Sequence, residues 1–208
     1  MRLSRAFFEQ NTIAVAKSLL GLRLCRREPD GSISTGLIVE TEAYLGIEDA
    51  ACHAFRGRRG KKNESLYLEG GHWYVYHIHR YKLLNLVTKE KDNPQAVLIR
   101  AIQAIDSQKE MEKNRGVLGI EVGNGPGKLT IAMEIGMELD KQALHPEHLT
   151  ILESDVKPKA ILSRARIGIN CEKYWKEKPL CFYVAKHPCV SRIPKKETKP
   201  IKECWIKE

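Results

Sequence analysis

The chain has 208 residues, enough for one domain or at most two small ones, and 42% of them are hydrophobic, which argues against global disorder. Its 35 Lys and Arg outnumber 26 Asp and Glu, and the resulting net charge of +9 favours polyanionic partners without requiring them. No apolar stretch approaches the roughly 20 residues of a membrane span, and the first residues lack the apolar core of a secretory signal. The sequence therefore predicts an intracellular protein that does not contact a membrane.

Six cysteines are widely scattered, and no two of them form a Cys-x-x-Cys pair. A zinc site is therefore poorly supported, and disulfides are not expected in a reducing compartment. We expect free thiols, buried or partly buried, at Cys25, Cys52, Cys171, Cys181, Cys189 and Cys204.

The first predicted elements are a helix and a pair of strands. Asn11 or Thr12 can cap a helix that runs to Leu20, and Gly21 is placed to end it. A strand over 22–27, a turn at 29–31 and a return strand over 36–44 follow. The later predictions, in chain order, are extended segments at 72–78, 83–87 and 96–99, helices at 101–114 and 128–135, and strands at 161–169 and 181–184.

This order of elements predicts the fold class and the domain organisation. Runs of strands interspersed with a few helices indicate an α+β fold rather than a regular βαβ alternation. No internal repeat, low-complexity tract or linker divides the chain, so residues 1–208 are predicted to form a single domain. The lysine-rich tail over 195–208 is expected to be a loosely held terminus.

Glu40, Glu42 and Tyr44 lie two residues apart in the apolar strand, so their side chains are expected to share one face. A carboxylate is costly to bury there unless it is hydrogen-bonded, paired or used in chemistry. Periodicity alone favours two solvent-exposed glutamates on an edge strand. Together with Asp49 and His53, the two glutamates also suggest a metal site, although this spacing is generic.

A basic loop precedes an aromatic strand. The loop has five cations in the seven residues 56–62, which is typical of a solvated loop, but Arg58 and Arg59 beside glycines also suit contacts with phosphates. In the strand that follows, Tyr74 and Tyr76 share one face. Alternating aromatic side chains usually belong to a core, yet aromatic faces beside cations also describe a pocket that stacks an extruded base.

Several runs of residues match one known pattern in its order and spacing. They are Ile38-Val39-Glu40-Thr41-Glu42-Ala43-Tyr44-Leu45-Gly46, 48–53, Tyr74-Val75-Tyr76, 97–101, 124–129, 165–169 and 178–184. Together with the opening segment over 7–21, they extend over most of the chain. The pattern resembles the alkyladenine DNA glycosylase family, also called the 3-methyladenine or methylpurine DNA glycosylases.

The resemblance implies a catalytic group built around a water molecule. Glu42 matches the family's catalytic glutamate, which holds and deprotonates the attacking water. Arg100 matches an arginine that helps to hold this water, and the backbone carbonyl of Ile167 matches a third contact. The family uses neither a metal ion nor an organic cofactor, so none is expected here.

The resemblance also implies a pocket for a flipped base. Tyr44 and His53 match residues that sandwich or hydrogen-bond this base, and Tyr76 matches the opposite stacking ring. Asn85 matches a pocket asparagine that penalises the exocyclic amine of guanine. The family's fold implies a compact α+β domain with a curved antiparallel sheet, surrounding helices and a protruding β-hairpin that inserts into DNA.

The sequence departs from the family at the tip of this hairpin, where the family usually has a tyrosine that wedges into the DNA. Here either His79 or Tyr81 can present a flat ring to the base stack. The segment that ends at Asn85 is one residue shorter than the family pattern. This change bears on the wedge, on the match of Asn85 and on the range of lesions.

The function that the resemblance implies is that of a monofunctional DNA glycosylase of base excision repair. Its expected partner is double-stranded DNA that contains alkylated or deaminated purines, namely 3-methyladenine, 7-methylguanine, hypoxanthine or ethenoadenine. We expect a monomer in the cytoplasm or nucleoid of a bacterium, or in the nucleus of a eukaryote. Three alternatives stay open: a binding module without activity, a metal-dependent hydrolase, and a bifunctional glycosylase/lyase.

Overall fold

An antiparallel sheet of eight strands forms the centre of the structure, a computed structural model that describes residues 3–28 and 30–207. The ten strands of these residues are β1 (Arg23–Arg27), β2 (Ile33–Tyr44), β3 (Trp73–Ile78), β4 (Tyr81–Thr88), β5 (Gln95–Ala104), β6 (Leu149–Leu152), β7 (Val156–Pro158), β8 (Ile161–Arg164), β9 (Cys181–Val184) and β10 (Trp205–Lys207). The sheet order is β3-β4-β5-β2-β1-β6, β9 pairs with β2 and β8, and β7 and β10 form a separate pair. The predicted α+β fold with a curved antiparallel sheet is confirmed. Pro29, part of the predicted turn between β1 and β2, lies outside the described residues.

Short helices accompany the sheet. The α-helices of the described residues are α1 (Arg5–Phe8), α2 (Thr12–Ser18), α3 (Gln108–Arg115), α4 (Pro126–Ala132) and α5 (Lys173–Glu177), and short 3₁₀ helices lie in the connections. As predicted, Asn11 caps α2, because its side-chain oxygen accepts the N–H groups of Ile13 at 2.9 Å and Ala14 at 3.4 Å. The Thr41 hydroxyl donates to the Ala16 carbonyl at 2.8 Å and so fastens α2 to β2.

Strand β2 carries Glu40 and Glu42, and it is buried over most of its length. β1 and β5 pair with it on either side, and β9 pairs with its residues Glu40 to Glu42. Both glutamates are 0% exposed. The expectation of two solvent-exposed glutamates on an edge strand is therefore wrong, because β9 covers β2 beyond the end of its pairing with β1.

The helix predicted over 101–114 is wrong in its first part. β5 continues as a strand to Ala104, and α3 begins at Gln108. Ile102 pairs with Ile38 of β2 and is 1% exposed. Pairing with a buried neighbouring strand therefore outweighs the helical spacing of the apolar residues in this segment.

The strand predicted over 161–169 ends early, at Arg164. Beyond this point the backbone leaves the sheet, so that the Arg166 side chain reaches Asp49 and the Ile167 N–H reaches Glu42. The strand pairing of β8 therefore ends before the residues that contact side chains of the site.

The prediction of a loosely held tail over 195–208 is wrong for the described residues of that segment. Trp205 begins β10, which pairs with β7. Cys204 and Trp205 are buried at 3% and 8% exposure, and the Trp205 indole N–H donates to Gln103 Oε1 at 3.0 Å. Burial of these two apolar side chains holds the end of the chain in place, and the surrounding lysines mask that signal in the sequence.

His187 lies fully buried next to this tail and predicts a loss of stability in acid. Its Nδ1 accepts the Cys189 N–H at 3.2 Å, its Nε2 contacts Gln103 Oε1 at 2.9 Å, and burial lowers its pKa to about 4. His187 binds a proton more tightly in the unfolded chain than in the folded protein. The free energy of unfolding is therefore expected to fall by about 3 kcal/mol as the pH drops from about 6.5 to 4.

Urea unfolding across this pH range measures the effect in the wild type and in His187→Gln. The substitution is expected to flatten the dependence of the free energy of unfolding on pH, whatever its effect at neutral pH. An equal slope in both proteins would show that His187 is not the group that titrates.

The cysteines agree with the expectation of free thiols. All six cysteines are free thiols, and only Cys171 among them is not buried. Within residues 3–28 and 30–207, no helix is both long enough and apolar enough to cross a membrane.

Candidate active site

A row of paired residues crosses four strands on one face of the sheet. Tyr74 of β3 pairs with Asn85 of β4, and Asn85 pairs with Leu98 of β5. Leu98 pairs in turn with Glu42 of β2. Directly paired residues of an antiparallel sheet point to the same side. A cavity of about 1050 Å³ opens on this side, and Tyr74, Asn85 and Leu98 contribute to its lining.

The Glu42 carboxylate is held by contacts to three other residues. Its Oε1 accepts the backbone N–H of Ile167 at 2.8 Å and lies 3.3 Å from a guanidinium nitrogen of Arg100. Its Oε2 accepts the Tyr44 hydroxyl at 3.0 Å. The structure thus brings Glu42, Tyr44, Arg100 and Ile167 together, and Ile167 contacts Glu42 through its backbone N–H.

Burial is the main influence on the protonation of Glu42. It raises the pKa of this carboxyl, although Arg100, the Ile167 N–H and the Tyr44 hydroxyl oppose the rise. A carboxylate with a raised pKa is a stronger base when it is ionised. Glu42 is not itself part of the cavity lining but lies directly behind Tyr44, Arg100 and Ile167, which are.

Arg100 lies between the two buried glutamates of β2. Its Nε is 3.6 Å from Glu40 Oε1, opposite the contact that it makes with Glu42. Glu40 also accepts a hydrogen bond from the Arg164 guanidinium at 2.5 Å and one from the Ser191 N–H at 3.0 Å. The Glu40 carboxylate therefore has its hydrogen-bond partners away from the cavity. Arg100 contacts Glu42 with another guanidinium nitrogen.

A buried ion pair supports the site from behind, and sequence analysis did not identify it. Two guanidinium nitrogens of Arg166 donate to the two oxygens of Asp49, at 2.5 and 2.8 Å. The same guanidinium donates to the Ala43 carbonyl at 3.0 Å and lies 4.7 Å from the centre of the Tyr44 ring. Arg166 therefore holds the aromatic ring on one side of Glu42 and, through the next residue, Ile167 on the other.

Three rings form an aromatic wall of the cavity. The rings of Tyr74 and Tyr76 stack with their centres 5.1 Å apart. The rings of His53 and Tyr76 meet in a T-shaped arrangement with their centres 4.6 Å apart. The Tyr74 hydroxyl bonds His53 Nδ1 at 2.6 Å. Burial lowers the pKa of His53 and raises the pKa of both tyrosines, so all three side chains are neutral near pH 7. The shared face of Tyr74 and Tyr76 is confirmed, whereas the contact of Tyr74 with His53 was missed.

The residues suggested for a metal site are not gathered into one group. Asp49 is bound by Arg166, and Glu40 is bound by Arg164 and Arg100. Among the residues that the structure describes, no cluster of three or more His, Cys, Asp or Glu side chains is placed to hold a metal ion.

The two candidates for the hairpin wedge occupy different environments. His79 follows β3 in the connection to β4, is exposed and has a positive φ of 51°. The Tyr81 ring packs on Gly127, where an added Cβ would lie 2.7 Å from a ring carbon. The His79 ring is therefore exposed in the connection between β3 and β4, whereas the Tyr81 ring packs against the N-terminal turn of α4.

The two arginines of the basic loop also differ. Arg58 and Arg59 are both exposed and both line the cavity. Arg59 is paired with Glu64 at 2.6 Å and with Asp92 at 2.7 Å. The Arg58 backbone carbonyl accepts hydrogen bonds from the Asn63 side-chain amide and the Tyr67 hydroxyl. No ion pair of the described residues involves the Arg58 guanidinium. Arg58 is thus the more available of the two cations for a phosphate.

Known proteins are similar to this chain along most of its length. The family model described as Methylpurine-DNA glycosylase (MPG) matches residues 6–188. Three bacterial relatives share the name "Putative 3-methyladenine DNA glycosylase". The Staphylococcus saprophyticus protein is 40% identical over 96% of this chain and 98% of its own, and the Staphylococcus epidermidis protein is 42% identical over 96% and 97%. The Shouchella clausii protein is 47% identical over 81% of this chain and 84% of its own. The chain therefore belongs to the methylpurine-DNA glycosylase family.

Proposed function

We propose that the protein is a monofunctional DNA glycosylase of base excision repair. It flips a damaged purine out of double-stranded DNA and hydrolyses the N-glycosidic bond, which leaves an abasic site. The observation that carries this proposal is the fully buried Glu42, held by Ile167, Arg100 and Tyr44 beside an aromatic-walled cavity. Family membership supports the same conclusion.

The proposed substrates are alkylated or deaminated purines: 3-methyladenine, 7-methylguanine, hypoxanthine and ethenoadenine. The cavity of about 1050 Å³ has space for a base, and Tyr44, Tyr76 and His53 offer ring faces or edges to it. Extrusion of a base costs a few kcal/mol, and damaged or mispaired bases reduce this cost. The names of the relatives mention 3-methyladenine, which supports this class of lesion.

The proposed reaction uses Glu42 as a general base. Glu42 takes a proton from a water molecule, the water oxygen bonds to C1′ of the sugar, and the bond between C1′ and the base nitrogen breaks. The electron pair of that bond leaves with the base. A cationic alkylated purine therefore departs as a neutral molecule without an acid, in contrast to glycoside hydrolases that pair an acid with a base. Hypoxanthine and ethenoadenine start as neutral bases, so each must gain a proton as it leaves. No metal or cofactor takes part in this proposal.

Arg100 and Ile167 complete the water site in this proposal. Each carboxylate oxygen can accept two hydrogen bonds, so Glu42 Oε2 has a lone pair for the water beyond its bond to Tyr44. Arg100 lines the cavity and contacts Glu42, so it can hold the same water. The Ile167 carbonyl is the proposed third contact.

The proposed DNA interface consists of the hairpin tip and the basic loop. His79 is the proposed wedge in the gap left by the flipped nucleotide, since its ring is exposed whereas Tyr81 packs on Gly127. Arg58 is the proposed phosphate contact, and Arg59 contributes mainly by tying the loop to Glu64 and Asp92. One active site acts on one duplex, so we propose a monomer.

Single-turnover excision from duplexes with each of the four lesions tests the function, with EDTA present throughout. We expect release of the free base, an intact abasic strand and no covalent adduct on borohydride treatment. Binding without release of any base would support the inactive binding module. Loss of release in EDTA would support a metal-dependent hydrolase, and a trapped adduct would support a glycosylase/lyase.

A further inference from the structure

Glu40 is a second buried carboxylate next to the proposed base, and the proposed reaction does not use it. It is 0% exposed and lies two positions before Glu42 on β2. A carboxylate is costly to bury unless charged partners and hydrogen bonds compensate for the loss of water. The partners that compensate for this cost also connect Glu40 to Glu42.

Residues of β8, of β9 and of the segment after β9 hold the Glu40 carboxylate. Its Oε1 accepts a hydrogen bond from the Arg164 guanidinium at 2.5 Å and one from the Cys181 thiol at 3.4 Å. Its Oε2 accepts the Ser191 N–H at 3.0 Å. Both oxygens therefore act as acceptors, as those of an ionised carboxylate do.

Arg100 of β5 is a further neighbour of Glu40, and the two glutamates share it. Its Nε lies 3.6 Å from Glu40 Oε1, and another of its guanidinium nitrogens lies 3.3 Å from Glu42 Oε1. Arg100 Nε is buried and has no hydrogen-bond partner within residues 3–28 and 30–207. Attraction between opposite charges, rather than a hydrogen bond, therefore joins Arg100 to Glu40.

Two glutamates and two arginines thus form one group whose charges balance. Within the described part of the chain, Arg164 forms an ion pair with Glu40 and none with Glu42. Burial raises the pKa of Glu42, Arg100 opposes this rise, and the negative charge of Glu40 adds to it. The charge on Glu40 therefore acts on Glu42 in the direction opposite to that of Arg100.

Other groups also face Glu42, and a substitution at Glu40 or Arg164 leaves their chemical identity unchanged. They are the Tyr44 hydroxyl, the Ile167 N–H, the Arg166 guanidinium, the Tyr76 hydroxyl and the Cys181 thiol. Only Arg166 among these is charged near pH 7, and it is paired with Asp49. Variants of Glu40 and Arg164 therefore change one electrostatic influence on Glu42 at a time.

We propose that Glu40 is a positioning residue of the reaction, and that together with Arg164 it determines how strongly the Arg100 charge acts on Glu42. The proposal rests on the proposed role of Glu42 as the base. Glu40 attracts the Arg100 guanidinium from the side opposite Glu42, so Arg100 stabilises the Glu42 carboxylate less, and Glu42 stays a stronger base. Arg164 offsets the charge of Glu40 and so limits this effect.

Glu40→Gln and Arg164→Met break the same ion pair but change the charge near Glu42 in opposite directions. The measurement is the pH dependence of single-turnover excision from a duplex with 7-methylguanine, a cationic lesion. We expect the inflection to move to lower pH in Glu40→Gln, which removes a negative charge, and to higher pH in Arg164→Met, which removes a positive one. Side chains two positions apart on a strand are about 7 Å apart, so a shift on the order of one pH unit is expected for Glu40→Gln.

The opposite signs separate this role from a merely structural one, because loss of packing or of stability would affect both variants in the same way. The double variant is expected to return the inflection toward the wild-type value. Arg164→Lys is the matched control, since it keeps the charge, and its inflection is expected to stay within about 0.3 pH units of the wild type. The Arg164 side chain is 27% exposed, so its two variants also test the proposal if Glu40→Gln does not fold.

Tryptophan fluorescence at each pH shows that the proteins remain folded over the range used. Shifts of the same sign in Glu40→Gln and Arg164→Met, an inflection that neither variant moves, or equal shifts in Arg164→Met and Arg164→Lys would overturn the inference. A wild-type rate without any inflection would instead contradict the role of Glu42 as the base, and no release of the base by the wild type would contradict the proposed function.

Discussion

Glu42→Gln is expected to slow single-turnover excision by about 10³-fold while duplex affinity stays nearly unchanged. The amide keeps the shape of the side chain, and its oxygen can still accept the Ile167 N–H that Glu42 accepts at 2.8 Å. It cannot take a proton from water. Rapid-quench release of the base measures the first quantity, and fluorescence anisotropy with a labelled lesion duplex measures the second.

Glu48→Gln is the matched control for this experiment. Glu48 lies six positions further along the chain and is exposed, so the same change of charge there is expected to leave excision at the wild-type rate. Excision by Glu42→Gln at the rate of Glu48→Gln would remove Glu42 from the role of general base.

Arg166→Met is expected to lower the free energy of unfolding by about 3–5 kcal/mol, since it leaves a buried carboxylate without its partner. Both side chains of the Asp49–Arg166 pair are 0% exposed. The substitution also removes the support of the Ala43 carbonyl and of the Tyr44 ring, so excision is expected to fall with stability. Urea unfolding followed by tryptophan fluorescence measures the loss.

Two further variants show whether the burial of this pair is the cause. Arg59→Met breaks exposed ion pairs to Glu64 and Asp92 and is expected to destabilise the fold much less. The double variant Asp49→Asn with Arg166→Met is expected to lose less than the sum of the two single variants, because no charge is left unpaired. A loss in Arg166→Met no greater than that in Arg59→Met would contradict this account.

Local sequence patterns predicted the strand that carries the site and the shared face of its side chains, but not the burial of its two glutamates. Alternation along β2 placed Glu40, Glu42 and Tyr44 on one face, and both Arg100 and the Tyr44 hydroxyl contact Glu42 there. The Asn11 cap of α2 was equally accessible, because a capping side chain bonds N–H groups two and three residues away. Each of these features depends on a period or on a spacing of a few residues.

The groups that hold Glu42 in place could not be predicted from such patterns. Asp49 and Arg166 are 117 positions apart, and Glu42 and Ile167 are 125 apart. No periodicity connects residues at these separations, since it is the sheet topology that brings them together. Resemblance to the family indicated Ile167, whereas Arg166 appeared only as part of a matching run.

Two segments differ from the sequence-based expectation because their apolar side chains are buried against distant strands. The many lysines after Lys195 suggested a solvated tail, yet Trp205 and Cys204 pack into the core, and β10 pairs with β7. Likewise, Ile102 follows a helical spacing but lies in β5 opposite β2. In both cases a few apolar contacts with distant strands outweigh the local signal.

The pH dependence of excision tests the role of Glu42 most directly. The substrate is a duplex with a cationic alkylated purine, which needs no proton to leave. Because the pKa of Glu42 is raised, the single-turnover rate is expected to be constant at high pH and to fall as the pH drops through that pKa. Tyr44→Phe removes a hydrogen bond that lowers this pKa, so it is expected to move the inflection to higher pH. A rate that does not depend on pH while the protein stays folded, or an inflection unmoved in Tyr44→Phe, would contradict the assignment of Glu42 as the base.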